Sequence, residues 1–259
     1  MSTLLQSIKT HEEEYLEFLR NKSVAVVGPA ASSRFQENGQ KIDSFDVVIR
    51  INRGMELVKE DKLFIGSKTN VLYNSLDFNP LVGGNLYQDN LENIEFICCP
   101  YPVKSRTFPN HIFSNMPNRN ESLFEKYKIR FISEGLYTHA VEETNSRINS
   151  GFGAILDILD NSPKSLFITG LDFYRSTYHP KYNACRKWGS DYKRIEEDLE
   201  FKLFNDSSRH NPDRQYKYFK RILKKHEDVI ELDDFMSSII DDCRYDNWNT
   251  IPREETYDR

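Results

Sequence analysis

Ser23-Val24-Ala25-Val26-Val27-Gly28 is a short apolar run that stops on glycine. It lacks the in–out alternation of a half-solvated strand and matches a strand covered on both faces. Five further runs of this kind lie at 46–52, 69–74, 94–99, 128–132 and 165–170. The stretches between them are long enough for crossover helices. The alternation predicts an α/β fold: a single Rossmann-like, doubly wound, mostly parallel sheet with helices on both sides. At 259 residues the chain suits one domain spanning 1–259, with a segment to spare as a lid. In such a sheet the ligand crevice lies beyond the carboxyl ends of the strands, so the residue after each run is where chemistry is sought.

The flanking segments are consistent with that plan. Leu4, Leu5, Ile8, Tyr15, Leu16 and Leu19 fall partly at helical spacing before the first strand. Near the end, Asn211 suits an N-cap, Pro212 the first helical position and Asp213 the first turn. Tyr216, Phe219 and Leu223 mark the buried face of that helix. Lys220, Arg221, Lys224 and Lys225 complement its dipole without any polyanion partner. The tail from 227 is acidic and reads as a last short strand or helix with a solvated end. Residues 175–209 are too poor in apolar side chains for a core strand. They read as a lid over the crevice or as an ordinary surface excursion.

Composition excludes several classes. The 35 Lys+Arg against 40 Asp+Glu leave a charge of −5, unlike a general nucleic-acid binder. Mean hydropathy is −0.66, and no run approaches the ~20 apolar residues of a membrane span. The N-terminus carries acids instead of a cleavable apolar core. The four cysteines have neither zinc spacing nor a disulfide framework, which points to a reducing, cytoplasmic setting.

Several residues stand where ligands would bind. Gly28 and Pro29 follow the first strand, and small residues there let a ligand approach the backbone; a plain turn would look alike. Asn52 and Asn74 each end a strand with a donor and an acceptor on one side chain, which suits base edges and ribose hydroxyls as well as turns. Asn149 or Ser150 can cap a helix, and Gly151 would let an anion sit against its N-terminus. Gly170 and Asp172 end the sixth strand. Tyr174, Tyr178 and Tyr182 follow, and phenol hydroxyls can donate to a leaving phosphate. His210 stands directly before a helix N-terminus, where the dipole disfavours imidazolium and keeps a proton acceptor.

These blocks resemble a known family. Val24 to Gly28 with Ile42 to Asn52 is similar to the long sialyl motif of glycosyltransferase family 29. Arg147-Ile148-Asn149-Ser150-Gly151-Phe152 through Ile168 to Tyr174 resembles the short motif, and is closer still to the bacterial sialyltransferases of family 42. His210 occupies the position of the family's histidine. Pro29-Ala30 replaces the usual Asn-Gly or Asn-Ser, Ser23 stands where vertebrate members have a cysteine, and Gln215 lies near the place of a glutamate.

The resemblance implies a GT-A-like variant of the doubly wound fold and inverting, metal-independent transfer of a sugar acid, sialic acid first, from a CMP-sugar to a glycan hydroxyl. It implies that Asn52, Asn74 and the Gly28 backbone meet the nucleotide. Ser150 and Gly151 would hold donor phosphate or carboxylate. Tyr174 with Tyr178 or Tyr182 would steady the departing phosphate, Arg147 would lie near acceptor or base, and His210 would be the base. No cofactor or metal is implied. The partners are the CMP-sugar and a glycan or glycolipid acceptor, with peripheral membrane contact open to the chain. The alternatives are a CMP-Kdo-dependent transferase and a non-catalytic nucleotide- or glycan-binding protein.

Overall fold

The computed structural model describes residues 2–76, 91, 93–103, 125–176, 178–179, 182 and 210–247, with side chains from residue 11 onward. Seven strands form one sheet: β1 (Ser23–Val27), β2 (Val47–Ile51), β3 (Val71–Tyr73), β4 (Phe96–Cys99), β5 (Lys128–Phe131), β6 (Ser165–Thr169) and β7 (Ile230–Leu232). Every pairing is parallel, in the order β5-β4-β3-β2-β1-β6-β7. The expected doubly wound sheet is therefore observed, and the acidic tail supplies its seventh strand.

β1 is the middle of the arrangement. Val26 pairs with Ile49 of β2 on one side and with Ile168 of β6 on the other. From β1 the chain builds outward through β2 to β5, then returns to the opposite side for β6 and β7. The order reverses between β1 and β6, and a crevice opens beyond their carboxyl ends.

Alternate residues of β1 feed two cores. Val24 and Val26 pack with α1 (Ser2–Leu19) through Tyr15 and Leu19, and with α5 (Ser150–Asp160) through Phe152 and Ile155. Ala25 and Val27 face Ile42 of α2 (Gly39–Asp43) and Ile65 of α3 (Val58–Ile65). Three more helices complete the layers: α4 (Glu134–Thr144), α6 (Pro212–Lys225) and α7 (Asp234–Ile240). Asn211 caps α6 by accepting from the Arg214 N–H, as its sequence predicts. Of the expected positions of α1 whose side chains are described, Tyr15 and Leu19 are buried and Leu16 is exposed. No described helix is long and apolar enough to cross a membrane. Most of 175–209 lies outside the described residues, and with it the lid reading.

A buried polar network ties α1 and α5 to the sheet. Arg130 of β5 is fully buried. It donates to Glu12 at 2.7 and 3.0 Å and pairs with Asp157 of α5. Tyr73 of β3 donates to the same Asp157 and accepts from the Tyr15 hydroxyl at 2.8 Å. The Arg130 guanidinium also lies 4.2 Å over the Tyr15 ring. Removing one partner of a buried ion pair strands the other charge, at a cost of ~3–5 kcal/mol. Asp157→Ala should therefore lose stability on that scale in urea unfolding. Arg20→Ala, whose pair with Glu17 is exposed, should leave the midpoint unchanged.

Candidate active site

The crevice begins where β1 and β6 end. Gly28 donates its N–H to Thr169 O at 2.8 Å, and Ala30 donates to Gly170 O at 3.1 Å. A Cβ on Gly28 would lie 2.1 Å from Gly170 O, and one on Gly170, at φ +65°, 2.6 Å from Gly28 O. These glycines let two strand ends touch. A Cβ on Gly151 would meet Leu171 Cδ2 at 2.5 Å. The room expected for a ligand beside Gly28 and Gly151 is thus filled by protein, and only their backbones remain to meet one.

Asp172 is likewise engaged inside the chain instead of facing a donor. It is buried and accepts from the hydroxyls of Ser32, at 2.6 Å, and Ser176. Burial pushes its carboxyl above the usual range despite those bonds. The contact joins the loop after β1 to the loop after β6. Pro29 O accepts from the His179 N–H at 2.8 Å, and Ala30 bridges to Tyr178, so the β1 loop also holds the chain that carries Tyr178 and Tyr182.

Asn52 and Asn74 stand together at the ends of β2 and β3. Asn52, at φ +50°, accepts from the Ser75 N–H at 3.0 Å. Asn74 accepts from the Leu76 N–H at 2.7 Å and is fully buried. The Asn74 carbonyl thus makes a local turn, as asparagine commonly does, while that of Asn52 ties the end of β2 to the chain leaving β3. The Asn74 Nδ2 has no hydrogen-bond partner among the described residues. An unmet buried donor is unfavourable by ~1–3 kcal/mol, so this amide fits an acceptor brought by a ligand.

The opposite wall is organised by one carbonyl. Arg147 O accepts from His210 Nδ1 at 3.1 Å and from Gln215 Nε2 at 2.8 Å, and Gln215 Oε1 accepts from the Asn149 N–H at 3.2 Å. A carbonyl only accepts, so the Nδ1 of His210 carries a proton and donates it to this bond. Of the two candidates for capping α5, Asn149 does so, accepting from the Phe152 N–H at 2.8 Å. Ser150 then opens the helix with Oγ 3.5 Å from the Tyr101 hydroxyl.

Tyr101 belongs to the same wall. The Arg147 guanidinium lies 4.9 Å over its ring. Both Tyr101 and Arg147 act on the charge of Tyr174. Tyr174 bonds Tyr178, with ring centroids 5.7 Å apart, and Tyr178 stacks on Tyr182 at 5.1 Å. Burial pushes the Tyr174 hydroxyl up to about 12, so at neutral pH it keeps its proton. Contacts thus run from His210 through Arg147 to Tyr101 and Ser150, and from Tyr174 through Tyr178 to Tyr182, and the first set bears on the second through charge.

Sequence reasoning missed Tyr101, although it lies just past β4, where the strand-end rule directs attention. It also missed His179, whose Nε2 lies 2.6 Å from Asp61 Oδ2, while Arg34 reaches the other oxygen at 3.2 Å. That pairing joins positions 118 residues apart and leaves no local signal. Among the described residues no three His, Cys, Asp or Glu side chains gather to hold a metal.

Residues 1–129 match the model of glycosyltransferase family 29 (sialyltransferase). This chain is a sialyltransferase-like glycosyltransferase. Two solved structures share the fold of this glycosyltransferase. The monofunctional alpha-2,3-sialyltransferase Cst-I from Campylobacter jejuni superposes with a TM-score of 0.52 at 17% identity, over 83% of this chain and 77% of that one. The sialyltransferase CstII from the same organism, in complex with the substrate analogue CMP-3FNeuAc, gives 0.50 at 17%, over 82% and 81%. No curated protein sequence matches the glycosyltransferase. The family match ends before Arg147, Ser150, Tyr174 and His210, so the geometry above is what joins those residues to the crevice.

The glycine contact has a direct test. Gly28→Ala in the glycosyltransferase should sharply lower the melting temperature or yield of folded protein, because the clash is with backbone. Gly135→Ala, where a Cβ meets nothing within 4 Å, should instead raise stability by ~0.5–1 kcal/mol.

Proposed function

We propose that this glycosyltransferase moves a sugar acid, sialic acid first, from a CMP-linked donor to a glycan hydroxyl by a single inverting displacement. The observation that carries the reading is the hydrogen bond from His210 Nδ1 to Arg147 O at 3.1 Å. With Nδ1 turned to that carbonyl, Nε2 is assigned as the proton acceptor, on the wall that also bears Ser150 and Tyr101. His210 Nε2 takes the proton of the acceptor hydroxyl. The oxygen attacks the anomeric carbon as the bond to the CMP phosphate breaks, and CMP leaves from the opposite face.

The leaving phosphate gains charge as that bond lengthens. Tyr174 with Tyr178 or Tyr182 donates to it, and the N-terminus of α5 adds oriented N–H groups at Ser150 and Gly151. The elevated Tyr174 pKa supports this role, since a phenol held in its neutral form stays a donor. Asn52 and Asn74 read the nucleotide, the unmet Nδ2 of Asn74 donating to it. No metal takes part in this scheme. The complex of CstII with CMP-3FNeuAc supports a CMP-linked donor for this fold.

CMP should raise the melting temperature where UDP and GDP do not. Asn74→Ala should weaken CMP about tenfold, the ~1.4 kcal/mol of one hydrogen bond. His210→Ala should bind CMP normally but lose ~10²–10⁴-fold in CMP release from CMP-sialic acid, assayed over a panel of glycan acceptors. EDTA should leave the wild-type rate unchanged. Faster release from CMP-Kdo than from CMP-sialic acid would reassign the sugar. Binding of CMP with release from neither donor would make the chain a nucleotide-binding protein.

A further inference from the structure

We infer that Arg175 is a positioning residue that registers the tyrosine side of the crevice against the histidine side. The inference rests on the roles proposed above for Tyr174 and His210. Its basis is that one buried guanidinium reaches three segments at once. Arg175 is 1% exposed. Its Nη1 donates to Phe173 O at 2.7 Å, and its Nη2 donates to Asp213 Oδ1 at 2.8 Å. Nε and Nη2 donate to Tyr245 O at 3.1 and 2.9 Å, and the plane lies 4.2 Å over the Tyr216 ring.

The three segments are those that matter for geometry. Phe173 and Tyr174 have φ of +53° and +64°, two successive left-handed residues without the excuse of glycine. Such a turn persists only where its surroundings over-determine it. The bond from Arg175 to Phe173 O closes the turn from within and so sets where the Tyr174 ring points. Asp213 lies in the first turn of α6, directly after the cap that follows His210. Tyr245 O belongs to the 3-10 turn Cys243–Asp246, which packs over the same helix. On one side Arg175 bonds the backbone carbonyl that leads into Tyr174, and on the other the side chain of Asp213, three residues after His210. A planar five-donor fork serves three acceptors in fixed directions, and a lysine ammonium cannot.

The test uses Arg175→Lys, which keeps the charge, in the full chain. Two readouts separate positioning from simple loss of fold. In the first, ring ¹⁵N signals of His210 should shift and its Nδ1–H should exchange faster with water, while those of His226 at the far end of α6 stay in place. In the second, kcat for CMP release from CMP-sialic acid should fall about 10- to 100-fold, the scale of an ångström's misplacement, with the donor KM held within roughly threefold because Asn52 and Asn74 are undisturbed. Unchanged His210 signals, or a folded variant with wild-type kcat, or a loss confined to KM, would each overturn the inference. If Arg175→Lys does not fold, Asp213→Ala decides on the same readouts, since it keeps the carbonyl bonds of Arg175 and removes its hydrogen-bonded tie to α6. A wild type inactive on CMP-sialic acid and CMP-Kdo refutes the transfer reading alone, and the His210 signals then decide the positioning claim.

Discussion

The backbone contact between Gly28 and Gly170 is the constraint from which the site is measured. A parallel sheet whose order reverses at β1 sends the chains leaving β1 and β6 to opposite faces. That alone opens a crevice, but it does not set its width. The width is set by two amide-to-carbonyl bonds and by the absence of a side chain on either glycine. With the strand ends so close, Ser32 can reach Asp172, and Pro29 can reach His179. The tyrosines are then carried by a segment bonded to both loops, not by a free excursion. One larger residue at either position would part the loops and disperse those contacts.

Three arginines, Arg50, Arg130 and Arg175, are among the largest fully buried side chains. Burying a guanidinium is costly and rarely improves stability over an apolar side chain of equal size. What it can do is meet several carbonyls and carboxylates in directions that no apolar group could specify. Arg50 gathers the carbonyls of Ile65, Gly66 and Lys68 at the end of α3, and Arg130 holds Glu12 and Asp157. The Arg130 network also bears on the site. Tyr73 immediately precedes Asn74, and Asp157 sits two turns along the helix that Ser150 opens. The amide at 74 and the helix tip at 150 are therefore referred to one buried cation.

Much of this was legible from residue order. Unbroken apolar runs ending in glycine or asparagine gave away the strands and hence the edge on which ligands would sit. The capping asparagine at 211 and the helix after it were equally plain, because caps are local. The glycines were legible as special but not in their use. Gly28 and Gly151 look the same in sequence whether a ligand or Leu171 fills the space beside them. Asp172 looked like a ligand contact because it ends a strand, and only the fold brings Ser32 to it across 140 residues. The strand at 230–232 was nearly invisible, since three residues with one exposed glutamate carry little pattern. Pairings such as His179 with Asp61 have no periodicity to read.

Net charge was the least informative property for this site. The chain carries −5, which would seem to disfavour an anionic donor. Yet among the described residues the carboxylates near the crevice are bound to partners within the protein. Asp172 accepts from two serine hydroxyls, Asp233 from the N–H groups of Met236 and Gly170, Asp61 meets His179 and Arg34, and Asp213 meets Arg175. Burial pushes the carboxyls of Asp172 and Asp233 up from the usual carboxylate range. The groups proposed to face the phosphate, by contrast, are donors: phenols that keep their protons, helix N–H groups and a serine hydroxyl. A field of one sign can thus be built in a protein of the opposite net sign, because over a few ångströms the direction of each hydrogen bond outweighs distant surface charges, which salt screens within about 10 Å.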